Sequence, residues 1–438
     1  MKITVIGTGY VGLVSGVCLA ELGNEVVCMD INLEKVKLLS EGVATIYEPD
    51  LQELMEKNLH KGQLSFTGNI EQALRHGGVI IIAVDTPSDT GGRADLSRLQ
   101  TCLLNIGLHM ENRKTIVIKS TAPVGTTARA AHYLEELLEK RSVDFGFGLV
   151  FNPEFLREGS AVSDFMRPDR IVIGTQDSQD AKIMSEVYQP LCEAGCPMLC
   201  TNFESAEMIK YASNALLATK VSFINEIADF CQACGANVQE VAKGVGMDQR
   251  IGRAFLQAGP GFGGSCFPKD TRALVKAAED YQVNVSIVRA VIKSNNDRKA
   301  KMLQMIVDLA KKTQVRSIAV LGVAFKANTD DVRESPALEI IRELPAYFES
   351  IRIYDPEAME NARKILPESK HLNYANSAYQ AAEGSEALLI LTEWSCFKDL
   401  DFEKIRSVMR GQAVIDLRNL LEKKLLERIG FEYHGLAI

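Results

Sequence analysis

At 438 residues the chain is too long for one ordinary core, and the usual allotment of about 100–200 residues per domain divides it into two to four. Hydrophobic residues at 46% are ample for burial, yet no apolar run approaches the roughly 18 residues a membrane helix needs, so no membrane span is expected. A formal charge of −8 argues against a broad electrostatic grip on nucleic acid or anionic lipid, and anionic ligands must be held by local groups.

The opening Met1-Lys2-Ile-Thr-Val-Ile6 enters a strand directly rather than a signal peptide, which predicts a cytosolic (cytoplasmic) protein. Ten cysteines in such a chain then read as reduced packing residues rather than a disulfide framework. Cys231-Gln-Ala-Cys234 and the ladder Cys192, Cys196, Cys200 have neither a second Cys pair nor a histidine at ligand spacing, so no metal site is expected. Trp394 is assigned to the core.

Residues 2–7 read as an apolar strand, 10–22 as a helix entered through Gly7-Thr-Gly9-Tyr-Val-Gly12, and 25–30 as a strand closed by Asp30. In that context the glycines let the backbone approach a pyrophosphate at a helix N-terminus, and the acid accepts ribose hydroxyls. Asp30 favours NAD over NADP, whose extra phosphate it would repel. Strand runs at 79–84, 115–120 and 148–151 alternate with helical stretches at 50–59, 96–109 and 126–140, which predicts an α/β fold with a parallel, doubly wound sheet. Ala83-Val-Asp-Thr86-Pro87 and Lys119-Ser-Thr121-Ala-Pro-Val-Gly125 lie just past strand C-termini, the ligand-binding edge of such sheets. They are turns or cofactor contacts, and Thr121 is also placed to orient a water. Asn152-Pro-Glu154-Phe-Leu-Arg-Glu158-Gly159 follows the next strand with two carboxylates four apart, as a solvated helix start or as part of a site.

From about 204 to 298 the strand signal disappears, and 204–234 keeps helical periodicity without an internal Pro or Gly. Such a helix can link two domains and carry a dimer interface. Lys210 and Asn214, at i and i+4, share one of its faces and suit either an oxyanion or a solvated surface.

Gly259-Pro-Gly-Phe-Gly-Gly-Ser-Cys266-Phe-Pro268-Lys269-Asp270 sets one cysteine among glycines that permit close approach of a ligand. Pro268 starts a helix whose positive end favours thiolate, Lys269 adds positive charge, and Asp270 can hold a water or shuttle a proton. Cys266 is the candidate nucleophile. Hydride leaves a carbon bearing a hydroxyl, and an aldehyde has none; thiolate addition supplies one, so a cysteine beside a nicotinamide site predicts oxidation past the aldehyde to a thioester and then a carboxylate. With no histidine near these motifs, proton transfer falls to carboxylate, lysine or water.

Strand signals resume at 317–322, 350–355, 387–392 and 413–416, predicting a second nucleotide-binding-like α/β domain. The loop from Gly322 to Pro336 brings Lys326 and Arg333 to its ligand edge, which suits a phosphate-bearing group. The domains are expected at 1–203, 204–300 and 301–438.

These motifs, in this order over essentially the whole length, resemble the UDP-glucose/GDP-mannose dehydrogenase family. The resemblance implies two Rossmann-like doubly wound domains joined by a long central helix and a helical middle domain, with NAD on the first and the UDP of the sugar nucleotide on the last. It implies four-electron oxidation of UDP-glucose to UDP-glucuronate, a supply step for polysaccharides. Cys266 would carry the thiohemiacetal and thioester, Lys210 and Asn214 would hold substrate and steady the oxyanion, Asp270 with Thr121 and a water would handle protons, and Glu154 would take part in hydrolysis. Cofactor contacts carry over to Gly7, Gly9, Val11, Gly12, Asp30, Lys35, Thr86, Thr121, Glu158 (near the nicotinamide) and Arg333. Substrate contacts carry over to Glu154, Phe155, Leu156, Arg157, Glu158, Lys210, Asn214, Phe255, Leu256, Gln257, Ala258, Gly259, Gly263, Lys326 and Arg418. Arg250 resembles an arginine that reaches a neighbouring subunit's sugar nucleotide, which implies a homodimer. Two residues depart from the family pattern: Asp85 stands where a small residue is usual before Thr86, and Leu417 stands where glycine is usual before Arg418.

GDP-mannose and N-acetylated UDP-hexosamines are the competing substrates, although the stretch from Phe255 to Gly264 looks more like the UDP-glucose type. A single-step hydroxyacid dehydrogenase would yield one NADH per substrate and make Cys266 dispensable. A nucleotide or redox sensor would bind NAD without turnover.

Overall fold

The computed structural model describes residues 1–438 and divides into two compact units, one of residues 1–213 with 279–281 and one of residues 214–278 with 282–438. The boundary falls inside a single 32-residue helix, Phe203–Cys234. Its sequence lacks Pro and Gly throughout, so no residue interrupts the backbone ladder.

The first unit is built on β1 (Lys2–Ile6), β2 (Glu25–Met29), β3 (Leu64–Thr67), β4 (Val79–Ile82), β5 (Thr115–Ile118), β6 (Gly148–Phe151), β7 (Ile171–Gly174) and β8 (Met198–Thr201), in the order β3-β2-β1-β4-β5-β6-β7-β8. The first six make the parallel, doubly wound order expected of a dinucleotide fold. Beyond them β7 meets β6 antiparallel, at Phe151 and Gly174 only, and β7 and β8 run parallel to each other. Apolar residues cover both faces: Val79 and Ile81 enter one core with Leu13 and Val17 of the helix Tyr10–Glu21, whereas Ile80 and Ile82 enter another with Leu103 and Leu134. Runs buried on both faces lose the alternation of a half-exposed strand, which is why β4 reads Val-Ile-Ile-Ile.

The second unit carries β9 (Ser317–Leu321), β10 (Ser350–Tyr354), β11 (Leu372–Tyr374), β12 (Ala387–Ile390), β13 (Ala413–Asp416) and β14 (Glu432–Gly435), all parallel in the order β11-β10-β9-β12-β13-β14. Ile224, Ala228 and Cys231 of the long helix join this core, as do Met302 and Ile306 of a second long helix, Ser286–Thr313. No strand interrupts the stretch between β8 and β9. Trp394 is buried here, as expected, at 5% exposure.

The two sheets repeat one device. Gly7 and Gly322 both follow the first strand with φ of 94° and donate their N–H to the last residue of the second strand, Met29 and Tyr354, at 2.8 Å. Asp30 and Asp355 come next. Asp355 is 1% exposed and accepts hydrogen bonds from the N–H groups of Val323, Ala324, Glu357 and Ala358 and from Trp394 Nε1. Its carboxylate is therefore saturated by the protein, whereas Asp30 keeps a partly exposed edge.

Candidate active site

In the first unit the glycine loop is shaped by contacts that no larger residue survives. A Cβ on Gly12 would lie 1.9 Å from the Gly7 carbonyl oxygen, and Gly7 holds a positive φ. The helix Tyr10–Glu21 begins at Gly9 with no side-chain cap and no acid in its first turn, so its N-terminal N–H groups and positive dipole end suit an anionic group. Asp30 Oδ2 accepts from the Thr8 N–H at 2.9 Å and the Thr8 hydroxyl at 2.7 Å, while Oδ1 accepts from the Asn32 N–H at 3.0 Å. Burial raises the Asp30 pKa, but these bonds and Lys35, 3.8 Å away, outweigh it and hold the carboxyl below its ordinary value. Lys35 Nζ also donates to the Thr8 carbonyl. The set fits a dinucleotide: a cradle without side chains and an ionised acid at the end of β2.

Thr86 is buried and donates its hydroxyl to the Thr121 carbonyl at 2.7 Å, which ties the two turns past β4 and β5 together. Asp85 sits beside the glycine loop, its Oδ1 3.5 Å from where a Gly9 Cβ would stand, and pairs with Arg98 at 3.1 Å. The departure from the family pattern thus comes with its own counter-charge.

The loop after β6 holds the other acids. Glu154 and Lys210 form a buried pair: Nζ donates to Oε1 and to the Glu154 carbonyl, each at 2.8 Å, and the side chains are 6% and 3% exposed. Burial pushes the Glu154 carboxyl up, but the Lys210 charge and hydrogen bond, the Leu156 N–H at 2.6 Å and Lys119 overcome it and leave the group ionised below the usual carboxylate range. The Phe155 ring centroid is 3.8 Å from the Arg170 guanidinium and 5.5 Å from Lys210 Nζ. Arg157 is engaged bidentately by Asp164, at 2.9 and 2.6 Å, and its side chain is exposed.

Two groups that spacing did not mark hold this region. Glu48 accepts from the N–H groups of Gly159 at 2.7 Å and Ala161 at 2.6 Å and from the Tyr10 hydroxyl, tying the glycine-loop helix to the Glu154–Glu158 loop. Burial and the Glu48 charge raise the Tyr10 pKa, so it stays a phenol. Glu207, fully buried, accepts from the Gly125 and Thr127 N–H groups at 2.6 and 2.7 Å and so pins the long helix to the start of Thr126–Arg141.

In the second unit Cys266 immediately precedes the helix Phe267–Asp280, and its carbonyl accepts the Asp270 N–H at 2.8 Å, the first turn of that helix. Pro268 stands at the second helical position, where its missing N–H costs nothing. The thiol is partly exposed, with the Ser265 hydroxyl 3.6 Å from Sγ. Cys28, by contrast, is fully buried and pushed up to about 12 by desolvation, as expected of an inert packing thiol. Asp270 is 1% exposed and accepts from Asn214 Nδ2 and from Lys269 Nζ, both at 2.6 Å. Of the predicted acid-base groups, Asp270 and Asn214 are therefore in direct contact, one turn beyond the thiol's own position.

The loop before the cysteine is held by the two long helices. Asn225 Oδ1 accepts the Gly259 N–H at 2.8 Å, Arg298 donates to the Gly259 carbonyl at 2.9 Å, and Asn295 bonds both the N–H and the carbonyl of Phe262, at 2.8 and 3.0 Å. These three positioning residues were not anticipated. Phe255 opens the loop in the left-handed region, φ 63°, a strained conformation for a non-glycine residue that concentrates at functional sites. Leu256 and Ala258 are buried and Gln257 is exposed.

Gly263 presses on the Gly322–Pro336 segment: a Cβ there would meet the Glu334 carbonyl oxygen at 2.2 Å, and the Gly264 N–H donates to the Arg333 carbonyl at 2.9 Å. Lys326 lies 5.5 Å from the Phe325 ring. Arg418 donates to the Leu391 and Phe325 carbonyls at 2.8 and 3.3 Å, and its Nη1 is 3.0 Å from where a Gly259 Cβ would stand, so Arg418, Phe325 and the 255–259 loop come together. Leu417 is fully buried in the core of this unit, which is why an apolar residue is accommodated there. The Arg333 guanidinium is drawn to Asp331, and that of Arg250 to Asp248, with the Arg250 side chain 89% exposed.

Three family models cover most of the chain: the UDP-glucose/GDP-mannose dehydrogenase family's NAD binding domain matches residues 1–192, its central domain 204–297 and its UDP binding domain 319–423. A UDP-glucose 6-dehydrogenase of Rhizobium meliloti is 45% identical over all of this chain and 99% of its own length, and one of Bacillus subtilis is 45% identical over all of this chain and 93% of its own. Among solved structures, a UDP-glucose dehydrogenase from Pyrobaculum islandicum superposes with a TM-score of 0.90 at 37% identity, covering 100% of this chain and 98% of that one. A UDP-D-ManNAc dehydrogenase from Pyrococcus horikoshii superposes with a TM-score of 0.87 at 28% identity, covering 100% and 99%.

Proposed function

Because the chain belongs to the UDP-glucose/GDP-mannose dehydrogenase family, we propose that this NAD-dependent oxidoreductase takes UDP-glucose to UDP-glucuronate by two oxidations at C6, with Cys266 as the covalent carrier. The observation that carries the mechanism is a partly exposed thiol at a helix N-terminus, on a glycine-lined loop, followed one turn later by the Asp270–Asn214–Lys269 cluster.

Gly7, Gly9, Val11, Gly12, Asp30, Lys35, Thr86 and Thr121 would hold NAD, which would supply a hydride acceptor for each oxidation. The C6 alcohol loses hydride and a proton to become the aldehyde. The Cys266 thiolate adds to its carbonyl carbon and makes a thiohemiacetal, whose hydroxyl allows loss of a second hydride and proton. The resulting thioester is opened by water, the C–S bond breaks, and the thiolate is regenerated with the carboxylate. One sugar nucleotide, two NAD and one water give one uronate, two NADH and the protons released in the oxidations and the hydrolysis. Lys210 and Asn214 steady the oxyanion of each tetrahedral species, Asp270 with Thr121 orders the water and takes protons, and Glu154 serves the hydrolysis. Residues 1–203 would bind NAD with Glu158 near the nicotinamide, 204–300 would carry the cysteine, and 301–438 would hold UDP through Lys326 and Arg418. Ten thiols and a mechanism that needs a reduced Cys266 suit the cytoplasm.

Measuring NADH formed per UDP-glucose consumed tests this directly: the expected value is two, with UDP-glucuronate as product. A value of one with aldehyde released would overturn it. GDP-mannose and UDP-N-acetylhexosamines, assayed alongside, should turn over far more slowly.

The long helix also supports a homodimer. Leu216, Phe223 and Phe230 recur every seven residues, on one stripe, and are 63%, 50% and 69% exposed. We expect wild-type protein to sediment as a dimer and the Phe223→Glu/Phe230→Glu variant as a monomer; a dimeric variant would remove this interface.

A further inference from the structure

Behind the Glu154–Lys210 pair stands a second ammonium. Lys119 directly follows β5, is 4% exposed, and donates from Nζ to Asn152 Oδ1 at 3.2 Å and to the Tyr188 hydroxyl at 3.5 Å, with the Phe165 ring centroid 5.9 Å away. Asn152 is the residue that opens the Glu154 loop. Its Oδ1 also accepts the Tyr188 hydroxyl at 2.6 Å, its Nδ2 donates to the Val172 carbonyl at 2.9 Å, and its N–H donates to the Ile118 carbonyl at 2.9 Å.

A buried ammonium whose hydrogen-bond partners are neutral is costly unless a nearby charge compensates it. The charged groups that face Lys119 are Glu154, from the loop after β6, and Lys210, from the long helix; the Tyr188 phenol, kept protonated by burial, is the other titratable group in contact. Two ammoniums about one carboxylate leave the cluster with a surplus positive charge. Apolar packing alone would be served better by a leucine or methionine at this position, so the lysine points to a use for the charge.

We propose that Lys119 is a positioning residue for turnover, whose charged hydrogen bond to Asn152 and positive charge toward Glu154 hold the Asn152-Pro153-Glu154 turn in its working geometry. This rests on the role given to Glu154 above. Burial, with Lys210 adding to it and Glu154 opposing, pulls the Lys119 ammonium down to about 8. Lys119 is therefore charged below that pH and neutral above it, and its benefit is present at neutral pH and lost as pH rises through about 8.

The test compares Lys119→Met, which removes charge and donor, with Lys119→Gln, which keeps a donor for Asn152 without the charge. Turnover at saturating UDP-glucose and NAD is followed across the interval that brackets pH 8, with NAD affinity and melting temperature measured on each protein. At pH near 7 both variants should lose about tenfold in kcat with KM changed by no more than about twofold, and the ratio of wild-type to variant rate should shrink toward one at higher pH. If the Met variant does not fold, the Gln variant decides alone. Wild-type turnover in Lys119→Gln, or a rate ratio flat with pH, would overturn the proposal. Glu154→Gln is run in parallel: full activity there would remove the role of Glu154 itself, a separate failure from that of Lys119.

Discussion

Cys266→Ala should reduce UDP-glucuronate formation by about a thousandfold or more while leaving NAD binding intact, an effect of the size seen when a covalent nucleophile is removed. The aldehyde produced by the first oxidation has no hydroxyl at the carbon that must lose the second hydride. Spontaneous hydration to a gem-diol would then have to supply one. The substitution is mild for the fold. The contact that begins the helix Phe267–Asp280 is made by the Cys266 carbonyl to the Asp270 N–H at 2.8 Å and survives in alanine; what disappears is Sγ and its 3.6 Å approach to Ser265. None of the groups assigned to NAD involves the thiol.

The measurement is uronate by mass spectrometry together with NADH yield, with NAD affinity by fluorescence titration as the control for folding. Near-normal uronate output from Cys266→Ala, still at two NADH per sugar, would remove the covalent mechanism and return the chemistry to a hydrated aldehyde. Cysteines elsewhere give an internal contrast. Cys18 and Cys28 are buried with pKa values raised by desolvation, so their replacement by alanine should not alter the NADH yield.

Much of this arrangement is written locally. Gly7, Gly12 and Asp30 are legible because a β-turn-α entry needs a positive φ, a close helix contact and an acid at the end of the next strand, all within thirty residues. Cys266 and Pro268 are legible because a thiol at a helix start has a composition of its own. Asp355, which follows β10 as Asp30 follows β2, is not marked by the sequence as its counterpart, and the sequence does not tell that Asp355 is saturated by the protein while Asp30 keeps a partly exposed edge. Strand direction leaves no mark either, since Ile171–Gly174 has the same apolar run whether it continues a parallel sheet or turns against β6. Least legible are the groups that hold the site from afar. Glu48 reaches Gly159 and Ala161 across more than a hundred residues, and Asn225, Asn295 and Arg298 grip the 259–262 loop from helices whose periodicity reports only burial. Lys119 stands within a motif noted for its threonine, yet its charge has meaning only beside Asn152, Tyr188 and Glu154.

Lys210→Met should lower kcat by about a hundredfold to a thousandfold, the range for losing one preorganised oxyanion donor, and it should also weaken the fold by about 3–5 kcal/mol, the usual result of stripping the partner from a buried charge. Both effects start from the 2.8 Å bond to a Glu154 carboxylate that is only 6% exposed. With Lys210 gone, burial dominates and Glu154 moves toward its protonated form. Because the native carboxyl is held below its ordinary value, the stability it contributes is present above the unfolded-state pKa and lost as pH falls through the folded one. In the variant burial leaves the carboxyl above its unfolded-state value, so the dependence reverses: Glu154 favours the fold at low pH and costs stability as pH rises through the raised value. A double substitution separates structure from chemistry: Lys210→Met with Glu154→Gln removes the orphan charge, so the melting temperature should recover most of the loss while kcat stays low. Recovery of both would make the pair a structural staple with no part in oxyanion stabilisation, and turnover of the single variant within about threefold of wild type would remove Lys210 from the chemistry altogether.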